Sequence, residues 1–167
     1  MKYKVMENFL DEHLYKRMKE TITHLDFPWR RRLGSTGPNT PTDKGYFTHS
    51  LFCEYFILNH ELYYNFMNPI LLKLEAKAII EARFNMFVNE FFFEKTGNYH
   101  NDFDFLCNTG ILNFTDSDGG TQLKIDDKEI IIQSKENQLL LFDSDVLHRS
   151  VVPNNTDIRY ILNFNYF

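Results

Sequence analysis

From residue 78 to the end, the chain is cut into short β-type segments, and this constrains the fold more than anything before it. Residues 78–88 read as one long strand, followed by the aromatic run Phe91-Phe92-Phe93. Further segments occupy 98–105, 109–115, 120–125, 129–133, 138–142, 147–152 and 158–166. Asp118-Gly119-Gly120, Asp126-Asp127 and Pro153-Asn154-Asn155 fall between them, and residues of these types supply the backbone angles that turns need. Seven or eight short strands at this spacing predict a sandwich, a jelly roll or a barrel. The 17 Phe and 9 Tyr suit such an interior, since rings fill sheet-lined cores well.

The first half has a different texture. Tyr3 and Val5 read as a short strand, and Asn8 or Asp11 is placed to cap a helix over 11–24, where Leu14, Met18 and Ile22 recur at helical spacing. Phe27-Pro28 ends it. Trp29-Arg30-Arg31-Arg32 opens a loop that runs to about Gly45, read either as a solvated charge cluster or as a lid meeting an anionic or bulky substrate. A strand follows at 47–53. A helix from 61 to about 75 is broken by Pro69. The chain therefore reads as one domain over 1–167, α+β but mainly β, with 1–77 as helical and loop support and 78–167 as the β core.

Composition narrows the partners. A net charge of −5 without a long basic run makes nucleic acid an unlikely ligand, although Trp29 to Arg32 with Arg149 offer a local positive patch. Cys53 and Cys107 form no disulfide framework, the N-terminus has no apolar signal region, and no run reaches the ~18 apolar residues of a membrane span. The expectation is a cytoplasmic protein without membrane attachment, of unspecified oligomeric state.

His100-Asn101-Asp102 carries the chemistry. In an extended segment His100 and Asp102 project to one side, which brings an imidazole beside a carboxylate. His148 follows the apolar strand 138–142, and Arg159 lies eleven residues further on, across the turn at 153–157. A hairpin of that length is expected to put His148 and Arg159 on adjacent strands of one pocket. Two histidines and one carboxylate on one face of a metal leave three positions open, an arrangement that suits non-haem Fe(II). A bidentate 2-oxo acid takes two of them and O2 the third, while a guanidinium on a strand takes the distal carboxylate. His49 and His60 have no such neighbours and read as satisfied or surface residues.

With His100-Asn101-Asp102 taken together with Gly119-Gly120-Thr121, 137–142, His148-Arg149 and 159–164, the chain resembles the 2-oxoglutarate/Fe(II)-dependent oxygenases. Within them it is similar to the prolyl 4-hydroxylase-like branch, including small phage-encoded members, which would place it in a host cytoplasm. Residues 8–11, 27–29 and 47–49 extend the likeness upstream. The resemblance implies a double-stranded β-helix (jelly roll) core with N-terminal helices packed on it. It implies Fe(II) held by His100, Asp102 and His148, with Asp104 as the rejected alternative carboxylate. Arg159 falls on the residue that pairs with the C5 carboxylate of 2-oxoglutarate. Asn85 falls near the cosubstrate, and Asn113 where many relatives carry a supporting Tyr, so that contact is expected to be absent or water-bridged here. Asn163, which shares a strand face with Arg159 and Asn165, is read as orienting Asp102 or a water, or else as a polar edge packed against a helix.

The implied reaction hydroxylates an unactivated C–H of a peptide, protein or small-molecule substrate, prolyl residues being the family-level expectation. It is coupled to oxidative decarboxylation of 2-oxoglutarate to succinate and CO2, with ascorbate as a stimulant. Two other readings compete. A cupin-type metal enzyme would draw on an H-x-H pair, which this chain lacks. A non-catalytic jelly-roll binding or structural protein would be free to lose any of the three ligands or Arg159.

Overall fold

The structure is a computed structural model and describes residues 2–32, 46–89 and 97–167. Its strands are β1 (Tyr3–Met6), β2 (Arg30–Arg32), β3 (Tyr46–Cys53), β4 (Phe56–Ile57), β5 (Ile79–Val88), β6 (Asn108–Asn113), β7 (Gly120–Ile125), β8 (Lys128–Gln133), β9 (Leu139–Asp143), β10 (Leu147–Val151) and β11 (Ile158–Tyr166). The larger sheet runs β1-β9-β6-β11-β5-β3-β2, with β4 hairpinned onto β3, and the smaller runs β10-β7-β8. All pairings are antiparallel, and the two sheets make a jelly roll.

Strand alternation divides the side chains between two cores. On β9, Leu139 and Leu141 join the cluster under the helices, whereas Leu140 and Phe142 join the cluster between the sheets. On β11, Leu162, Phe164 and Tyr166 face the helices, while Ile161 faces the other sheet. This is why the 139–142 run is apolar throughout: both faces of β9 are covered.

The helical layer forms for local reasons. In α1 (Glu12–Thr23), Asp11 caps the first turn by accepting from Leu14 N at 2.9 Å. Met18 and Ile22 are fully buried on the larger sheet, each worth about 1.5–3 kcal/mol of apolar burial. The second helical stretch is α2 (His60–Leu62), a π turn (Tyr63–Met67) and α3 (Asn68–Lys73). The expected break at Pro69 takes this form. Pro69 has no N–H to give and its ring crowds the preceding turn, so the chain widens by one residue and Asn68 N bonds to Tyr63 O. No helix among the described residues is long and apolar enough to cross a membrane.

Five expectations need correction or fall outside this description. Residues 98–105 are not a strand. Only His100 bridges to His148, and side chains bond some of the neighbouring backbone: His100 Nδ1 donates to Asn98 O, and Ser144 Oγ donates to Phe105 O and accepts from Cys107 N. His148 and Arg159 are not on adjacent strands. Their strands β10 and β11 belong to different sheets. The connection between them lacks a donor at Pro153 and is tied to the β6–β7 turn, where Asp118 Oδ1 accepts from Asn154 N and Asn155 N. Trp29 to Arg32 do not begin a loop: Trp29 packs on Phe27 and Tyr160, and Arg30–Arg32 pair with β3. Residues 1–77 are more than support, because β1, β2 and β3 extend the larger sheet. The remainder of the lid reading, 33–45, and Phe91-Phe92-Phe93 lie outside the described residues.

Candidate metal centre

Three elements bring the ligand candidates together. His148 projects from β10 into the space between the sheets and is buried. His100 reaches it from the irregular segment, through paired backbone hydrogen bonds of 3.0 Å between the two residues. Asp102, two residues on, turns its carboxylate to both. Its Oδ1 lies 3.6 Å from His148 Nε2 and 3.9 Å from His100 Nε2, and one donor atom from each residue falls within 4.8 Å of the others. Among the described residues this is the group of three His, Cys, Asp or Glu side chains placed to hold a metal ion.

The surroundings prepare these side chains for a cation. Each imidazole is placed to donate from Nδ1 to a carbonyl two residues earlier, His100 to Asn98 O at 3.0 Å and His148 to Val146 O at 3.1 Å. A carbonyl can only accept, so this leaves the lone pair on Nε2, facing the carboxylate and free for a metal. Burial and the neighbouring His148 hold the His100 pKa below the ordinary histidine value, which keeps Nε2 deprotonated at neutral pH. Asp102 is shaped from behind. Its Oδ2 accepts from Asn165 Nδ2 at 2.9 Å and from Thr109 Oγ1 at 3.3 Å, which turns Oδ1 toward the histidines. Burial works to raise its pKa. The adjoining His148 imidazole, with the Asn165 bond, outweighs that and holds it below the usual carboxylate range. Asp104 stands exposed, outside the group.

Arg159 stands on β11 four residues before Asn163 and is 1% exposed, the largest fully buried side chain among the described residues. It reaches across to the smaller sheet. Nη1 donates to Gly120 O at 2.8 Å, and Nη2 donates to Asn113 Oδ1 at 3.2 Å and to Thr121 Oγ1 at 3.4 Å. Its Nε is buried with no partner, and no carboxylate pairs with it among the described residues. Burial pulls its pKa down to about 10, still far above neutrality, so the charge stays. Gly120 is needed at its position: a Cβ there would sit 2.1 Å from Ile132 O, so only glycine lets β7 lie close enough to β8 while offering its carbonyl to Arg159.

His100, His148, Asn85, Asn163 and Arg159 line one cavity, walled by apolar groups such as Ile111 and Ile161. Asn113 lies behind Arg159, holding the guanidinium and accepting from Ser134 Oγ at 2.9 Å. Asn85 is fixed by Thr48 Oγ1 at 3.1 Å. The bond expected from Asn163 to Asp102 comes instead from Asn165. Asn163 faces the cavity, and its Oδ1 is buried without a partner. His49 stands elsewhere, between Pro28 O and Asn59 Nδ2.

Four contributors were not marked by the sequence. Thr109 shares the inner face of β6 with Ile111 and Asn113, so alternation alone could have placed it. Arg83 shares the inner face of β5 with Asn85 in the same way. The Asn98 and Val146 carbonyls that orient the imidazoles have no residue-type signature at all.

Comparison with known proteins supports the same architecture. No family model matches the sequence, and no curated protein matches it. Solved structures do match. A Trichoplax adhaerens prolyl hydroxylase, solved with a hypoxia inducible factor oxygen degradation domain peptide, aligns over 99% of this chain and 83% of its own, with a TM-score of 0.74 at 14% identity. A Pseudomonas putida prolyl-4-hydroxylase aligns over 98% of this chain and 91% of its own, with a TM-score of 0.69 at 14% identity. A non-haem α-ketoglutarate-dependent epimerase of nogalamycin biosynthesis aligns over 99% of this chain and 77% of its own, with a TM-score of 0.69 at 10% identity. The fold is that of the 2-oxoglutarate/Fe(II) oxygenases, prolyl hydroxylases among them.

Proposed function

We propose that this chain is an Fe(II)- and 2-oxoglutarate-dependent dioxygenase that hydroxylates an unactivated C–H of its substrate. The observation that carries the reading is Arg159. Its buried guanidinium has only neutral acceptors and no carboxylate partner among the described residues, so it keeps a full charge to offer an anion, and it lines the same cavity as His100 and His148, which with Asp102 are poised for a divalent metal. The donor set fits Fe(II): two neutral imidazoles and one carboxylate leave coordination positions for a 2-oxo acid and O2. The cavity tests the same way, because a dicarboxylate bound at one end by Arg159 directs its other end toward the triad.

Bound Fe(II) supplies O2 activation, with two electrons drawn from decarboxylation of 2-oxoglutarate to succinate and CO2. The protein does the rest. The Nδ1–H bonds fix both histidines in one tautomer, Asn165 and Thr109 fix Asp102, and Arg159 fixes the cosubstrate's C5 carboxylate. Asn113 acts through Arg159 by holding its guanidinium. Asn85 stands along the cosubstrate, and apolar walls keep water from the reacting groups. One oxygen atom of O2 enters succinate and the other the substrate C–H. The fold neighbours favour a prolyl-hydroxylase-like substrate in a peptide or small molecule, and ascorbate is expected to stimulate turnover by keeping the metal reduced.

The test is an anaerobic titration of the metal-free protein with Fe(II) and then 2-oxoglutarate, followed by O2 and a succinate assay. A weak visible charge-transfer band, lost in His148→Ala, together with slow succinate formation, supports the oxygenase. With no metal retained and no band, the chain would be a jelly-roll binding protein instead.

A further inference from the structure

The cavity holds two more polar atoms with no partner among the described residues, and neither belongs to the triad or to Arg159. Arg83 on β5 stands directly opposite Asn163 on β11, and both side chains line the cavity. Arg83 is held on one side by Glu81, which accepts from Nη1. Its Nε is buried and without a partner, as is Asn163 Oδ1. Buried polar atoms of a folded protein are rarely left unbonded, and two facing each other across one strand pair mark a place where something binds. The place is distinct from the Arg159 end. Asn163 stands four positions along β11 from Arg159, about 13 Å at ~3.3 Å per residue. Asn163 lies at the metal end, beside Asn165, which holds Asp102. The charge of Arg83 is felt by both Asp102 and His100, which agrees with that placement.

The two orphans ask for different partners. With Nη1 engaged by Glu81, the partnerless Nε–H stands on the edge it shares with Nη2, the edge whose fork matches a carboxylate. An amide oxygen accepts only, so Asn163 Oδ1 requires an N–H or O–H. We propose that Arg83 and Asn163 form the subsite for the reacting substrate, and that this substrate is a small molecule with a free carboxylate next to a hydrogen-bond donor, a free α-amino acid being the simplest. The carboxylate meets Arg83 and the amino group meets Asn163. An internal prolyl residue of a peptide has neither a charge nor an N–H to offer there. The inference rests on the proposed function, because it needs the cosubstrate at Arg159 and the metal at the triad.

The experiment uses the full chain loaded with Zn(II), which is redox-inert, and 2-oxoglutarate. Free L-amino acids, proline included, are titrated calorimetrically beside their amides and their desamino analogues. The same panel is screened for stimulated succinate formation with Fe(II). The expected result is that one or more amino acids bind and stimulate, that their amides do not, and that Arg83→Met weakens binding about tenfold or more. Asn163→Ala should weaken the amino acid to the level of its desamino analogue. Because Arg83→Met leaves Glu81 without its partner, the double variant Glu81→Gln/Arg83→Met serves as a second test in which no buried charge is stranded. Amides that bind as well as acids would overturn the inference. So would a wild-type protein that takes 2-oxoglutarate but no member of the panel. If Arg83→Met instead weakens 2-oxoglutarate and pyruvate alike, the carboxylate at Arg83 is the cosubstrate's own and the substrate assignment falls. A wild-type protein that binds no 2-oxoglutarate removes the proposed function itself, a separate and recognisable failure.

Discussion

Replacing Arg159 by Met should leave the metal-free protein about as stable as before while removing most of its affinity for 2-oxoglutarate. Burial lowers the pKa of this arginine to about 10 from an ordinary 12.5. At ~1.4 kcal/mol per tenfold, desolvation then costs about 3 kcal/mol. Against it stand the three hydrogen bonds to Gly120, Asn113 and Thr121, worth roughly 1 kcal/mol each. The two sides nearly cancel, and Met fills a similar volume. Thermal unfolding of the metal-free variant should therefore stay within a few degrees of wild type, at ~2–4 °C per kcal/mol for a chain of this size. Ligand binding has no such compensation. Losing a charge-assisted pair of about 3 kcal/mol weakens 2-oxoglutarate roughly a hundredfold. Calorimetry on the Zn(II)-loaded protein reads the second number. If the variant melts ten degrees lower and still binds 2-oxoglutarate normally, Arg159 is a structural residue and the anion-site reasoning is wrong.

Four further outcomes are expected. Asp102→Ala should abolish Fe(II) retention, measured by metal content after dialysis, while Asp104→Ala keeps it; the reverse would move the ligand. Asn165→Ala should weaken metal affinity ten- to a hundredfold by releasing Asp102, whereas Asn163→Ala should leave metal affinity alone. Because the folded protein holds the His100 pKa below its unfolded value near 6.5, the folded state binds fewer protons there. Stability of the metal-free protein should thus be full above pH 6.5 and fall as the pH drops through the lowered folded value, and a melting temperature that rises on mild acidification would contradict this. Gly120→Ala should push β7 from β8 and displace the carbonyl that fixes Arg159, so 2-oxoglutarate affinity drops while metal affinity persists; equal loss of both would show a general collapse.

Much of this was legible in the chain because it depended on periodicity. The two-sided apolar run at 139–142, the capped helix behind Asp11 and the Asp126-Asp127 turn, whose residues have φ of 49° and 61°, are local signals with local causes. The spacing of His100, Asp102, His148 and Arg159 was equally visible. What sequence could not give was the partner of each strand. A hairpin between β10 and β11 was the economical reading, yet the connection crosses between sheets because Asp118, far away in sequence, binds its backbone. The choice of Asn165 over Asn163 to hold Asp102 was also closed to sequence, since both side chains project to one face and only the depth of the 98–105 segment separates them. That segment pairs with a strand at His100 alone, and Ser144 bonds its far end through a side chain.

The charges around the cavity account for the order in which ligands would be accepted. Arg83 is paired with Glu81 and Arg149 with Glu129, and Asp102 and Arg159 oppose one another, so with neutral histidines the side chains around the cavity sum to zero charge. A divalent metal at the triad carries it to a net +2. That excess favours a dianion, and 2-oxoglutarate is one whose two ends match the two places where positive charge is fixed. By linkage each must then tighten the other: the metal raises the affinity for the dicarboxylate by the factor by which the dicarboxylate raises that for the metal. Once both are bound the balance is restored, and a third ligand with net charge would disturb it. A zwitterionic amino acid would not. Its carboxylate and amino group divide between Arg83 and Asn163 without altering the sum, which is the electrostatic reason to look first among free amino acids for the substrate.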